Sequence, residues 1–147
     1  MYKHILIPTD GSPLSRKAAR AGIAFAKKMG AKVTAYHAIE LRLPYAGAEG
    51  ALMDATVIEI IDHTARKQAD KYVAEVAAAA KAAGVRCDTY VSRPITAHEG
   101  IIGAAKRRKC DAIFIASHGR GGVTSLLLGS VTQRVLAHSK IPVVVYR

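Results

Sequence analysis

Two junctions hold the residues best suited to chemistry. Thr9-Asp10-Gly11-Ser12 follows one apolar run, and Ser117-His118-Gly119-Arg120-Gly121-Gly122 follows another. Glycines let backbone N–H groups approach phosphate oxygens with no Cβ in the way. The second junction runs on to Gly129-Ser130, where a helix is expected to begin. A helix N-terminus offers free N–H groups and partial positive charge to an anion, and Arg120 adds a full charge. The chemistry these types suit is phosphate binding; the plain alternative is an ordinary surface loop. Two familiar nucleotide loops are absent. There is no G-x-x-x-x-G-K-[ST] pattern, and Pro8-Thr9-Asp10-Gly11-Ser12 replaces the G-x-G-x-x-G of a dinucleotide fingerprint.

Other reactive residues form no set. His118 has no recognisable nucleophile, base and orienting carboxylate around it. A neutral or phosphate-facing role suits it better. His37 lies in a strand-like run and reads as structural, and His4, His63, His98 and His138 are scattered without ligand spacing. Cys87 and Cys110 have no nearby His/Cys cluster to complete a metal site. They also suggest no disulfide framework, which fits a reducing compartment. Asp10 and Ser130 each have a modest reading as well, Asp10 as a turn former or cap and Ser130 as a helix cap.

These junctions are positioned by alternating strand-like and helix-like patterns. Strands are expected over Lys3 to Pro8, Lys32 to Ile39, Arg86 to Val91, Asp111 to Ala116 and Ile141 to Tyr146. Ser12-Pro13 reads as an N-cap followed by proline at the first helical position. Leu14, Ala18, Ala21, Phe25 and Met29 then fall on one helical face, closed by Gly30. Val57, Ile61, Ala65, Tyr72, Val76, Ala80 and Ala83 mark the inner face of a long second helix. Thr96 with Glu99, and Ser130 with Gln133, look like capping boxes opening two further helices. Glu40 to Asp54, with Pro44, Gly47 and Gly50, has no sustained period and reads as a long loop, expected to be mobile and near the site. Strands alternating with helices imply an open parallel five-stranded sheet covered by helices on both faces. The commonest strand orders are 3-2-1-4-5 and 2-1-3-4-5. In the first, the switch point lies between the first and fourth strands, and the two polar junctions meet there.

The 147 residues suit one domain, with no internal repeat or linker. No signal peptide and no run of about 20 apolar residues is visible, which points to the cytoplasm and away from the membrane. The formal net charge of +11 favours anionic partners. The one basic block, Lys106-Arg107-Arg108-Lys109, sits at an expected helix C-terminus, where cations complement the helix dipole. Nucleic acid is therefore the less favoured partner, as no nucleic-acid-reading module is recognisable.

Across its whole length the sequence resembles the universal stress protein family. The opening strand ends in P-x-D-x-S as Pro8-Thr9-Asp10-Gly11-Ser12. The ATP-binding members carry G-x-x-G, nine residues, then G-[ST]; here Gly119 and Gly129-Ser130 stand at that separation. Leu126 to Val131 and Ile141 to Val145 are also family-like. One departure is that Ala116 stands where the family's first glycine would be. The resemblance implies ATP, with Mg²⁺ on its phosphates, bound at the crevice between the first and fourth strands. It implies the order 3-2-1-4-5. It carries Asp10 onto the ribose, the backbone of Ala38 onto adenine, and Ala116, Gly119, Gly129 and Ser130 onto the phosphates. Pro8, Thr9, His118, Arg120 and Val131 complete the expected lining. It further implies a homodimer paired through Ile141 to Tyr146, and a stress-response role in which any ATP hydrolysis is slow and incidental. The alternative is the same fold without nucleotide, acting as a dimeric interaction module.

Overall fold

The computed structural model describes residues 1–40, 54–120 and 127–147. The expected loop from Glu40 to Asp54 falls almost wholly outside these, as do residues 121–126 of the second junction. The element order is β1 (His4–Pro8), α1 (Pro13–Met29), β2 (Lys32–Ala38), α2 (Ala55–Ala82), β3 (Cys87–Ser92), α3 (Ala97–Arg107), β4 (Ala112–Ala116), α4 (Ser130–His138) and β5 (Val143–Tyr146). The strands form one parallel sheet in the order β3-β2-β1-β4-β5. Of the two orders the sequence left open, this is 3-2-1-4-5. The order turns back at β1, so the C-terminal ends of β1 and β4 lie side by side.

Strand alternation divides the core between the two faces. Ile5, Ile7, Val33 and Ala35 pack with α1 and α2 residues on one face. Leu6, Tyr36, Ile113 and Ile115 pack with Ile101, Ala104 and Val135 of α3 and α4 on the other. β1 and β4 are buried along their whole length, as central strands of a doubly covered parallel sheet must be. Each fully buried Ile or Leu here contributes roughly 1.5–3 kcal/mol.

The strand starts lie slightly inside the expected bounds, for local reasons. Asp111 precedes β4 instead of opening it, because its carboxylate accepts hydrogen bonds from the backbone N–H groups of Lys3 (2.8 Å) and His4 (3.1 Å). β5 begins at Val143 and not Ile141. Proline has no N–H to enter the ladder, although the Pro142 carbonyl still accepts from Ile113 N–H at 2.9 Å. Ser12 caps α1 as expected, accepting from Ser15 N–H at 3.2 Å, and Gly30 ends it at φ 66°.

Two helix faces are corrected. The buried stripe of α1 is Ser15, Ala18, Ala19, Gly22, Ile23 and Ala26, while Met29 is exposed. The helix lies so close to the sheet that a Cβ on Gly22 would stand 2.9 Å from Ile7 Cδ1 and 3.0 Å from Phe114 Cδ1. Small residues define the closest part of that contact, while Ile23 is buried with them and Ala21 and Phe25 pack at its edge. In α2 only Ala69, Tyr72, Val73, Val76 and Ala80 are buried; Val57 is exposed. The apolar pattern of α2 thus runs beyond the part of the helix that covers the sheet.

Filling the α1 contact tests this account. Gly22→Val is expected to destabilise the fold by about 1–3 kcal/mol through overpacking. A urea transition with a lower midpoint and unchanged slope is the expected result. An unchanged midpoint would mean that α1 does not lie this close.

Candidate functional site

Asp10 sits just past the end of β1, half-buried, and joins the two junctions. One carboxylate oxygen accepts from Ser12 N–H at 2.9 Å, an Asx-turn that leads into α1. The other accepts from Arg120 N–H, also at 2.9 Å, across 110 residues of sequence. Burial pushes the Asp10 carboxyl up, but hydrogen bonds from Ser12, Ser15 and the Arg120 backbone outweigh it and hold the group below the usual carboxylate range. The modest reading of Asp10 as a turn former is therefore correct, and the residue is in addition a strut between loops.

Gly119 needs to be glycine because of that strut. A Cβ there would fall 2.6 Å from Asp10 Oδ2. Its φ is outside the left-handed region, so the constraint is the close approach and not the backbone conformation. Gly129 donates its N–H to the Ser117 carbonyl at 2.8 Å. A Cβ on Gly129 would stand 3.2 Å from that same oxygen. This brings the start of α4 directly against the end of β4. The buried Thr132 hydroxyl reinforces the joint, donating to the Ala116 carbonyl at 2.8 Å.

Ser130 does not cap α4, contrary to the capping-box expectation. The N-cap is Gly129, which has no side chain to do so, and Ser130 is the first helical residue. Gln133 donates from its side chain to the Leu128 carbonyl at 2.6 Å and so cannot complete a box. Among the described residues no side chain caps this helix. The first-turn N–H groups, including those of Ser130 and Val131, have no intrahelical acceptor. Thr96 and Glu99 do pair at the start of α3, the hydroxyl donating to the carboxylate at 2.9 Å.

His118 is a brace. Its Nε2 faces the Leu127 carbonyl, which can only accept, so Nε2 carries the proton. Nδ1 is then the acceptor for the Ser117 hydroxyl at 2.9 Å. Both ring nitrogens are engaged in holding the two ends of the loop together. His37 does similar work on the other side, its Nδ1 donating to the Thr9 carbonyl at 2.7 Å. Thr9 N–H in turn donates to the Tyr36 carbonyl at 2.8 Å. Ala38 ends β2 opposite Ser92. Ala116 ends β4 opposite Tyr146 and is 6% exposed, so its extra methyl is covered by protein.

The sequence reading missed Tyr72 as a neighbour of this crevice. It was placed only on the inner face of α2. Its ring abuts Gly11, where any Cβ would collide with it. It stands edge-on to His37, with ring centroids 5.3 Å apart, and the Arg120 guanidinium lies over it at 4.9 Å. A lone tyrosine in an alanine- and valine-rich helix segment was the available signal. The structure thus gathers Thr9, Asp10, His118, Gly119, Arg120, Gly129, Ser130 and Val131 around the β1 and β4 ends. Ala38 stands one strand further out. No group of three or more His, Cys, Asp and Glu able to hold a metal occurs among the described residues.

The sequence model described as the Universal stress protein family matches residues 1–147. A universal stress protein of Methanocaldococcus jannaschii, MJ0531, is 33% identical over 149 residues, covering 100% of this chain and 83% of its own. One from Thermus aquaticus, encoded in a sulfhydrylase 3′ region, is 33% identical over 147 residues, with 100% of both chains covered. The solved structure of M. jannaschii MJ0577 superposes with a TM-score of 0.77 at 28% identity, covering 99% of this chain and 95% of its own. At 24% and 19% identity, universal stress protein structures solved with cAMP and dAMP share the fold, with TM-scores of 0.65 and 0.66. They cover 99% of this chain and 97% and 98% of their own.

Removing the strut is a direct test of the site's construction. Asp10→Ala is expected to cost about 1.5–3 kcal/mol, the range for hydrogen bonds to a charged group. Because the folded carboxyl titrates below its unfolded value, this stabilisation is complete above about pH 4 and is lost as pH falls through the folded value. The stability gap between the wild type and Asp10→Ala should therefore narrow in acid. A gap independent of pH down to the acid limit of folding would rule out the charged strut.

Proposed function

The chain belongs to the universal stress protein family, and from that premise we propose that it binds ATP in the crevice between β1 and β4. The observation that carries this reading is the uncapped start of α4, drawn against the end of β4 by the Gly129–Ser117 hydrogen bond and facing the Asp10 junction. The first-turn N–H groups of Ser130 and Val131 are the donors for phosphate oxygens, helped by the helix dipole. Asp10 would meet the ribose after exchanging its bond to Arg120, and the Ala38 backbone would meet adenine. Arg120 adds positive charge once it leaves Tyr72. ATP of this kind supplies a phosphate-rich ligand whose Mg²⁺ is held by the phosphates and water, since the described residues offer no carboxylate cage.

The activity is signalling or stress response, not catalysis. His118 is committed to Ser117 and Leu127, and no other described residue stands as a water-positioning group. Hydrolysis would be slow and incidental. The protein works as a cytoplasmic homodimer, with the whole chain as one domain. β5 is an edge strand, its four residues are half-buried, and an apolar edge of this kind is a liability unless paired. A second reading keeps the fold and dimer but leaves the crevice empty. It is favoured by one observation: both Asp10 oxygens are already occupied within the protein.

Equilibrium dialysis with labelled ATP separates the two. Saturable binding is expected, and Gly119→Val should weaken it at least about tenfold, roughly 1.4 kcal/mol. Lys106→Ala with Arg107→Ala should change it less than about threefold, because those charges are distant and screened. No saturable binding at millimolar nucleotide would establish the empty-crevice reading.

The dimer is tested independently. Sedimentation at micromolar concentration should give twice the chain mass of 15.6 kDa. A monomer would overturn pairing through β5.

A further inference from the structure

Two histidines that stand far apart in the sequence, without ligand spacing, meet in the fold. His98 is the second residue of α3 and His138 the last of α4. Their ring centroids lie 5.6 Å apart, with the planes inclined by 39°. The helices hold them there. His98 lies one turn before Ile101 and His138 one turn after Val135, and both of those residues are buried in the same core cluster. Each imidazole therefore continues the inward face of its helix out toward the surface.

The His138 ring is also fixed in orientation. Its Nδ1 faces the Arg134 carbonyl at 2.8 Å. A carbonyl only accepts, so Nδ1 carries a proton, and in the neutral ring Nε2 keeps the lone pair. Metal-binding histidines are ordinarily set in this way, the second nitrogen donating to a backbone carbonyl. His98 makes no hydrogen bond among the described residues; its neighbour there is the His138 ring. Its ring is therefore able to turn a nitrogen toward a shared partner. The separation suits two rings on one ion. Bonds of about 2.0–2.1 Å to two ring nitrogens at a tetrahedral angle put the centroids about 5.2 Å apart.

We propose that His98 and His138 together chelate a divalent transition-metal ion of the zinc class, clipping α3 to α4. The ligand type selects the class. Neutral imidazole suits Zn²⁺, Cu²⁺ and Ni²⁺, whereas Mg²⁺ and Ca²⁺ take oxygen ligands. Glu99, beside His98, accepts from the Thr96 hydroxyl at 2.9 Å. No third His, Cys, Asp or Glu joins the pair among the described residues, so water completes the coordination. Two of the four ligands of a closed zinc site supply about half its binding free energy, which corresponds to a dissociation constant of about 10⁻⁴ to 10⁻⁶ M. The ion does not depend on the nucleotide reading. It sits at the last residue of α4, whereas the crevice lies at the first. The competing account is an aromatic contact without metal, since rings also pair at centroid separations of about 4.5–7 Å.

Calorimetric titration of the whole chain with Zn²⁺ separates the two. Saturable binding in the stated range is expected, not displaced by millimolar Mg²⁺, and saturating Zn²⁺ should raise the melting temperature. His98→Phe and His138→Phe each keep a ring in the contact but remove a ligand. Each should weaken binding at least about tenfold and abolish the melting shift. His63→Ala, exposed on α2, should change binding less than about threefold. In ¹⁵N spectra of the wild type, Zn²⁺ should move the His138 Nε2 resonance and leave Nδ1 protonated. The absence of saturable binding would overturn the proposal. So would undiminished binding in both phenylalanine variants, or a His138 resonance that Zn²⁺ does not move.

Discussion

A half-buried carboxylate must be hydrogen-bonded or it costs more than the fold can spare. Asp10 meets that need by taking one N–H from each of two loops. The consequences spread outward from it. Gly119 has to be glycine because Oδ2 leaves no room for a Cβ. Arg120 is held by its backbone, and its guanidinium comes to rest over Tyr72. Tyr72 in turn leaves no room for a side chain at Gly11 and meets His37, which fixes the Thr9 carbonyl. A closed circuit of contacts therefore surrounds the crevice, and each member constrains the residue type of the next.

That circuit creates a competition. Any anion entering the crevice approaches the Asp10 carboxylate, and a phosphate beside it is repelled at close range. A nucleotide avoids this by presenting its sugar hydroxyls, which can donate to the carboxylate, while its phosphates move toward the N-terminus of α4. Under the proposed reading, the geometry would orient a nucleotide with its sugar at β1 and its phosphates at β4. Simple phosphate lacks the hydroxyls and gains only the second half. The cost of breaking the Arg120–Asp10 bond falls on every ligand, and only one that returns a donor to Asp10 recovers it.

The element order and the strand order were legible because they follow from alternation and from connection rules that tolerate small errors. The meeting of the two junctions followed from order alone. Helix faces were less legible. In α1 the expected face was right at Ala18, Ala21 and Phe25, which pack on the core, but it missed Ser15, Ala19, Gly22 and Ile23, which are buried beside them. The Ser130 cap failed for a related reason. The S-x-x-Q pattern is present, but the helix begins one residue earlier than the pattern requires, because Gly129 is held by Ser117. Tyr72 was seen as core and not as crevice, since its standing as a lone tyrosine among alanines and valines marks the position without saying what it meets. Its role depends on the long-range closeness of Gly11, His37 and Arg120.

The distribution of charge reflects the same topology at a larger scale. Helix N-termini and strand C-termini share one end of the sheet; helix C-termini and strand N-termini share the other. The first end attracts anions through dipoles and backbone donors, with little need for lysine. At the second end the dipoles oppose an anion, so attraction there requires side-chain charge in excess of the dipoles. Lys27, Lys32, Lys81, Arg86 and the Lys106–Lys109 block supply that excess. Strands of five to seven residues separate the ends by roughly 17–23 Å, well beyond the screening length of about 8 Å. The two ends therefore act as independent electrostatic surfaces. The net charge of +11 is consequently no guide to affinity in the crevice, where one carboxylate and a few N–H groups decide what binds.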